Sequence, residues 1–378
     1  MKVKDLYKIS KGKKSPEFDF DSGLRYIQIE DLRSDDNLKF TDPKAKTVIC
    51  NKSDILIAWD GANAGTIGYG LEGAIGSTIA KLSPLNGKVD SEYAGRFLQS
   101  KFNYLRDTAT GATIPHISRT ILENLQIPLP PLATQKKIAA ILDAADAYRQ
   151  KTKALIDKYD ELAQSLFLDM FGDPVRNEKG YRTSTIGEAC VVKGGKRVPK
   201  GESLQKNITI HPYVKAQNIK NGKVTTENLE YLTKELAKSL WRYTVEKGNV
   251  VITVVGVGIG DVGIVPQELD GANLTENANK IIAKNSCELN SIFLAHYLMS
   301  AHVQQQIIKK TMAVGVPKLA LFRIQEIEIL LPPIEVQTEF ENRLHLIKQQ
   351  KEFVLKELEL SHTLFNSLLQ RAFKGELE

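Results

Sequence analysis

The sequence predicts an α+β protein built twice over: two related strand-rich domains, each followed by one very long helix. Three observations predict it. A proline-rich segment recurs at a fixed offset, the features upstream of it recur in the same order, and an apolar stripe of helical period follows each copy. A length of 378 residues fits more than one folding unit, and 42% hydrophobic with 25% charged residues is the composition of a globular chain.

The first domain is expected over residues 1–132. Met1 to Lys14 is strongly basic and no apolar stretch of signal-peptide type follows it. Short β-rich runs such as Ile55 to Trp59 and Ile75 to Leu82 alternate with Gly, Asn and Asp turns, and Glu92 to Arg106 reads as helix. The domain closes on Ile127-Pro128-Leu129-Pro130-Pro131-Leu132, followed by Gln135.

The first long helix is expected within 133–173. Ile138, Ile141, Ala145, Tyr148, Thr152, Leu155, Tyr159, Leu162, Leu166 and Met170 recur at three- and four-residue steps, and Gly172 with Pro174 ends the run. At 1.5 Å per residue this is a rod of about 57 Å.

The second domain, 174–334, repeats the first. Ile329-Leu330-Leu331-Pro332-Pro333-Ile334 with Gln337 stands 202 residues beyond the first such segment. Lys193-Gly194-Gly195 matches Lys11-Gly12-Lys13, Tyr213-Val214 matches Tyr26-Ile27, and Asn249-Val250-Val251-Ile252 matches Asp54-Ile55-Leu56-Ile57. Tyr297 to Ser300 matches Phe97 to Ser100, and Val316-Pro317 matches Ile114-Pro115. The offset grows from 182 to 202, an insertion that surface loops accept at little entropic cost. Val250 to Val255 reads as strand and Ser291 to Lys310 as helix.

The second long helix, 335–378, carries Phe340, Leu344, Ile347, Val354, Leu358, Phe365, Leu368 and Ala372 on one stripe, with Gly375 beyond it. A narrow stripe sustained this long argues for helix pairing rather than for a helix on a broad core. If the two rods pair antiparallel, each leaving its own domain, the result is a dumbbell of pseudo-twofold symmetry. The alternative is that each helix folds back on its own domain.

Composition narrows function. A net charge of +6 suits an anionic partner only weakly. Cys50, Cys190 and Cys287 are odd in number and form no CxxC pair, against a disulfide framework or structural zinc and in favour of a cytoplasmic protein. The longest apolar run, Val250 to Ile259, is broken by glycines and far too short to span a bilayer, so no membrane partner is expected.

The whole arrangement resembles the specificity subunit of type I restriction-modification systems. The residues that carry the resemblance are Asp54-Ile55-Leu56-Ile57-Ala58-Trp59-Asp60-Gly61 and the two Pro-Pro segments with Gln135 and Gln337. The helix exits Met170-Phe171-Gly172-Asp173-Pro174 and Arg371 to Leu377 complete the set. The resemblance implies that each domain reads one half of a split target in the major groove of double-stranded DNA, and that the helices set the unread spacer. It implies that methyltransferase subunits, two of them, dock on the helices and modify an adenine in each half. An ATP-driven restriction subunit joins the complex. S-adenosylmethionine, ATP and magnesium are then needed in the partners alone, and this chain carries no cofactor, no metal and no catalytic residue.

Phosphate contacts need Lys and Arg; base edges need Arg, Lys, Asn, Gln or Ser. The densest clusters are Lys11, Lys13 and Lys14 in the first copy and Lys193, Lys196, Arg197 and Lys200 in the second, both beside glycines in a loop. An ordinary solvated loop has the same composition. Gln28, Lys215, Gln217, Asn218 and the group Asn273, Asn277, Asn279 and Lys280 are polar enough for base reading, although Asn and Gln also form turns. Trp59 and Trp241 are expected to pack rather than to touch DNA. The family resemblance adds His116, Arg119 and Lys318, just after Pro115 and Pro317, as phosphate partners or as framework.

Gly258-Ile259-Gly260-Asp261-Val262-Gly263 fits a dinucleotide fingerprint only if a helix follows, and Pro266 argues against one. No Walker A, HExxH, GxSxG or amino-methyltransferase tetrapeptide is present. Two rival readings remain: a coiled-coil protein scaffold indifferent to DNA sequence, and a nucleotide-dependent enzyme using the Gly258–Gly263 loop.

Overall fold

The structure, a computed structural model, describes residues 1–17, 23–111, 114–311 and 317–377. Val316, named above beside Pro317, lies outside them. The chain divides into two compact units, Met1–Leu155 with Val354–Glu378 and Ile156–Phe353. Both boundaries fall inside a long helix.

In the first unit α1 (Val3–Leu6) leads into β1 (Tyr7–Lys11), then β2 (Leu24–Ile27), β3 (Phe40–Thr41), β4 (Val48–Cys50), β5 (Ile55–Ala58), β6 (Ile67–Tyr69), β7 (Gly73–Ile75) and β8 (Ile79–Pro84). Next come α2 (Ser91–Ser100), α3 (Phe102–Asp107), α4 (Arg119–Asn124) and α5 (Leu132–Phe171). Four strands pair in the order β1-β8-β5-β6, and β3-β2-β7-β4 form a second sheet in which β2 runs parallel to β7. All four residues of β5 are buried, as an unbroken Ile-Leu-Ile-Ala run requires of a strand covered on both faces.

The second unit repeats this plan. It holds β9 (Arg182–Thr185), α6 (Ile186–Ala189), β10 (Cys190–Gly194), β11 (Pro212–Val214), β12 (Ile219–Lys220), β13 (Gly222–Val224), β14 (Glu230–Tyr231) and α7 (Lys234–Ser239). It continues with β15 (Val250–Thr253), β16 (Val262–Ile264), β17 (Asn273–Leu274), β18 (Ala278–Ala283), α8 (Ser291–Met299), α9 (Ala301–Lys310), α10 (Leu321–Gln325), β19 (Glu328–Leu331) and α11 (Ile334–Lys374). The order β10-β18-β15-β16 reproduces the first sheet, extended here by β13 and β12, and β14-β11-β17 reproduces the second with β11 parallel to β17. The α+β class, the duplication and the two long helices are thus all present.

The structure corrects one register. Gly12, not Lys13, is the counterpart of Gly195: their N–H groups donate to Ile79 O (2.8 Å) and Ala278 O (3.1 Å). A Cβ on either would stand 2.2 Å from Gly76 O or 2.0 Å from Thr275 O, so only glycine fits. Lys13 therefore matches Lys196, and their N–H groups reach Ile75 O and Leu274 O alike. A slip of one was invisible in the sequence because Lys-Gly and Gly-Gly align equally well either way.

Each unit contains its own stretch of paired helix. In the first, Ile138, Ala139 and Leu142 of α5 share a core with Leu368, Leu369, Ala372 and Phe373 of α11, while Tyr148 meets Glu357, so the pairing runs antiparallel. In the second, Phe167 and Phe171 of α5 meet Phe340 of α11 edge-to-face, with ring centroids 5.7 Å and 5.2 Å apart, and Asp160 accepts from Lys351 at 2.5 Å. The Pro-Pro segments end in the same fastening. Gln135 accepts from Asp90 N–H and donates to the carbonyls of Lys88 and Pro130; Gln337 repeats this with Asn290, Glu288 and Pro332. Both glutamines are buried. Among the described residues no helix is long and apolar enough to cross a membrane.

Candidate nucleic-acid interface

In each unit the chain brings two loops to one place. The glycine-rich loop between β5 and β6 meets the segment after Pro115: Gly61 N–H donates to Pro115 O at 3.0 Å, and Asp60 bridges His116. In the second unit the loop between β15 and β16 meets the segment after Pro317, with Val255 bridging Lys318 and Gly256 N–H directed at Pro317 O. His116 and Lys318 are therefore equivalent positions.

The first unit adds its basic turn to this pair. Lys11, at the end of β1, places Nζ 2.6 Å from Asp60 Oδ2, and His116 Nδ1 lies 2.5 Å from Asp60 Oδ1. Burial alone pushes the Asp60 carboxyl up; hydrogen bonds from Lys11 and His116 outweigh it and hold the group below the usual carboxylate range. Lys11 and His116 remain about half exposed while Asp60 is mostly covered. A carboxylate thus holds two cationic-type side chains side by side with their outer faces in solvent. Lys13 and Lys14 are exposed beyond them.

The other first-copy candidates are tied up locally. Gln28 hydrogen-bonds Glu17, and Arg119 on α4 pairs with Glu123 one turn on at 2.7 Å, leaving its guanidinium largely exposed.

In the second unit Lys193, Lys196, Arg197, Lys200, Gln217 and Lys318 are all exposed. Arg197 pairs with Glu276 at 2.5 Å, Lys196 Nζ lies 5.9 Å from the Tyr243 ring centroid, and Lys215 is paired with Glu230 at 2.8 Å.

Four expected readers point inward instead. Asn218 is 1% exposed; its Oδ1 accepts from Lys215 N–H and its Nδ2 donates to Glu227 O. Asp31 caps Gln28 N–H in the first copy in the same way, so Asn218 is a turn-former. Lys280, opposite Lys193 in the β10–β18 ladder, is 9% exposed and donates to Thr244 O. Burial, with the Lys193 charge beside it, lowers its pKa. Asn273 and Asn279 are likewise buried.

The tryptophans part company. Trp59 packs against the first core as expected, whereas Trp241 is 64% exposed. The sequence carried a clue to this, since Trp241 lies where the second copy outgrows the first. Asp60 belongs to the motif that carries the family resemblance, and its place two residues past the fully buried β5 brings it against His116. The Gly258–Gly263 loop runs into β16, not into a helix, which removes the helix N-terminus a dinucleotide site needs.

Comparison with known proteins gives one answer. The family profile described as "Type I restriction modification DNA specificity domain" matches residues 1–158 and 178–357. The MjaVIII type I restriction enzyme specificity subunit of Methanocaldococcus jannaschii is 28% identical, covering 95% of this chain and 88% of that protein. The EcoBI specificity subunit of Escherichia coli is 23% identical over 86% of this chain and 73% of its own length. Among solved structures, the type I restriction-modification S subunit from M. genitalium has a TM-score of 0.61 at 18% identity, covering 99% of this chain and 95% of that one. A chain from a type I R-M complex-assembly study reaches 0.64 at 18% identity, with 100% and 97% covered. At that identity the structures speak for the fold.

Proposed function

The chain belongs to the type I restriction-modification DNA specificity family, and from that premise we propose that it is the DNA-recognition subunit of a type I restriction-modification complex. The observation that carries this reading is one loop arrangement built twice with different side chains. Both units hold a glycine-lysine turn and a glycine loop bonded to a post-proline segment, yet one presents Lys11, Asp60 and His116 where the other has Gly194, Val255 and Lys318. A shared framework with different donors and acceptors reads different bases. Each unit accordingly takes one half of an asymmetric, bipartite target, with the exposed lysines and arginines on phosphates.

The long helices set the unread spacer and receive two methyltransferase subunits. Supporting this, α11 exposes Leu346 and Phe353 (60% and 76%), one heptad apart. Seven-residue spacing is the seam that another helix packs against. Restriction subunits join through that complex. Chemistry, with S-adenosylmethionine, ATP and magnesium, belongs to the partners, and this chain supplies the address.

Modified-base sequencing of the host genome with and without the gene tests the reading. Loss of one asymmetric, bipartite adenine-methylation motif is the expected result; in a host whose methyltransferase subunits are expressed, an unchanged methylome overturns it.

A further inference from the structure

The two copies serve as each other's reference: what both keep is framework, and what one has alone is where their readings diverge. The offset between them takes its largest step, from 187 at Tyr26 and Tyr213 to 195 at Asp54 and Asn249, between the second strand of each copy and its buried central strand. In the first unit this stretch is turns and the short β3 and β4. In the second it folds α7, capped by Thr233 accepting from Leu236 N–H, and a 3-10 turn Trp241–Tyr243.

That turn stands on a pedestal of its own. Tyr213, Leu232, Leu236 and Leu240 form a separate buried cluster, with Tyr243 packed against it. Trp241 itself faces solvent, with the Arg242 guanidinium 5.2 Å from its ring centroid. The neighbours are cationic: Lys196 lies over Tyr243, and Lys280 donates to Thr244 O next in the chain. A single exposed aromatic is ordinary on a protein surface. One fixed on a rigid turn beside a basic loop, with a guanidinium on its face, is equipped for stacking on or wedging against a base while the charge engages phosphate.

We propose that Trp241 and Arg242 form a DNA contact particular to the second unit, the indole against a base of its half-site and the guanidinium on the adjoining phosphate. The proposal rests on the DNA-recognition reading and deepens it by naming a specificity-determining residue that the first copy lacks.

Trp59 and Trp241 are the only tryptophans in the chain. Trp59→Phe therefore leaves Trp241 as sole emitter, and the difference between wild type and Trp241→Phe gives the same signal should that variant not fold. The probe is a duplex carrying the motif read from the methylome, unlabelled for tryptophan emission and fluorescein-labelled for anisotropy. The expected result is strong quenching of Trp241 in step with the anisotropy rise, and a roughly 5- to 100-fold weaker affinity for Trp241→Ala. Relaxed methylation in the second half-site with the first unchanged completes the expectation. Binding by anisotropy with unaltered Trp241 emission overturns the contact and leaves the recognition reading standing. No anisotropy change with any duplex, methyltransferase subunits supplied, overturns the recognition reading and the contact with it.

Discussion

Arg96→Met tests how the first unit fastens its strand domain to its helices. The Arg96 side chain on α2 is 8% exposed and its guanidinium bonds Asp143 Oδ1 through Nε at 2.7 Å and Nη2 at 2.6 Å. Nη1 reaches Asp146 at 2.9 Å and Gln99 at 3.2 Å, and the group lies 5.6 Å from the Tyr69 ring and 5.7 Å from the Phe365 ring. Met fills most of the stem's volume, so the loss is chiefly ionic. Removing one partner of a fully buried pair costs about 3–5 kcal/mol. Here Asp143 and Asp146 keep 35% and 21% of their side-chain surface in water, and Arg149 still holds Asp146 at 2.6 Å, so the cost falls to about 2–3 kcal/mol. In a Trp241→Phe background Trp59 reports the first unit alone, and its urea midpoint should drop by about 1 M. Adding Asp143→Asn alone should recover part of the loss, because the carboxylate stranded by the substitution goes with its partner, while Asp146 keeps Arg149. An unchanged midpoint for Arg96→Met, or a double variant less stable than the single, refutes the argument.

The second unit differs at the equivalent place. His296 packs at 5.4 Å edge-on to Phe340, and burial, aided by the Lys348 charge, pulls its imidazole from 6.5 down to about 4. A depressed folded-state pKa means the unfolded chain takes the proton first, so stability is full above pH 6.5 and falls as the pH drops toward 4. His296→Phe should flatten that acid slope in Trp241 emission; an identical slope counts against His296 as its source. For DNA binding, replacing Lys193, Lys196 and Arg197 by Ala should weaken all duplexes and lower the salt-dependence slope by about two, fewer than three because Glu276 already occupies Arg197. A slope equal to wild type removes these residues from the interface.

Fold and site were not equally legible. The duplication, the strand runs and both long helices could be read because each is written in local periodicity or in a repeated order of residues. The readers were harder to tell apart. Lys280 and Asn218 have the composition of base contacts, yet one is drawn to the Thr244 carbonyl and the other to Glu227, partners no sequence window brings near. Gln135 and Gln337 stood out as a motif, while their role as clamps between strand domain and helix needed the backbone groups of Lys88 and Glu288 in place. Trp241 was expected to pack from its residue type, and only its place in the inserted stretch hinted otherwise.

The sequence by itself determined the architecture: a doubled α+β domain, each copy followed by a helix whose apolar stripe is set by neighbours three and four residues away. Only the tertiary structure decided which polar and aromatic side chains face outward. Burial of a lysine, an asparagine or an indole depends on acceptors and apolar surface supplied from distant parts of the chain, and the choice between solvent and interior is made when those parts meet.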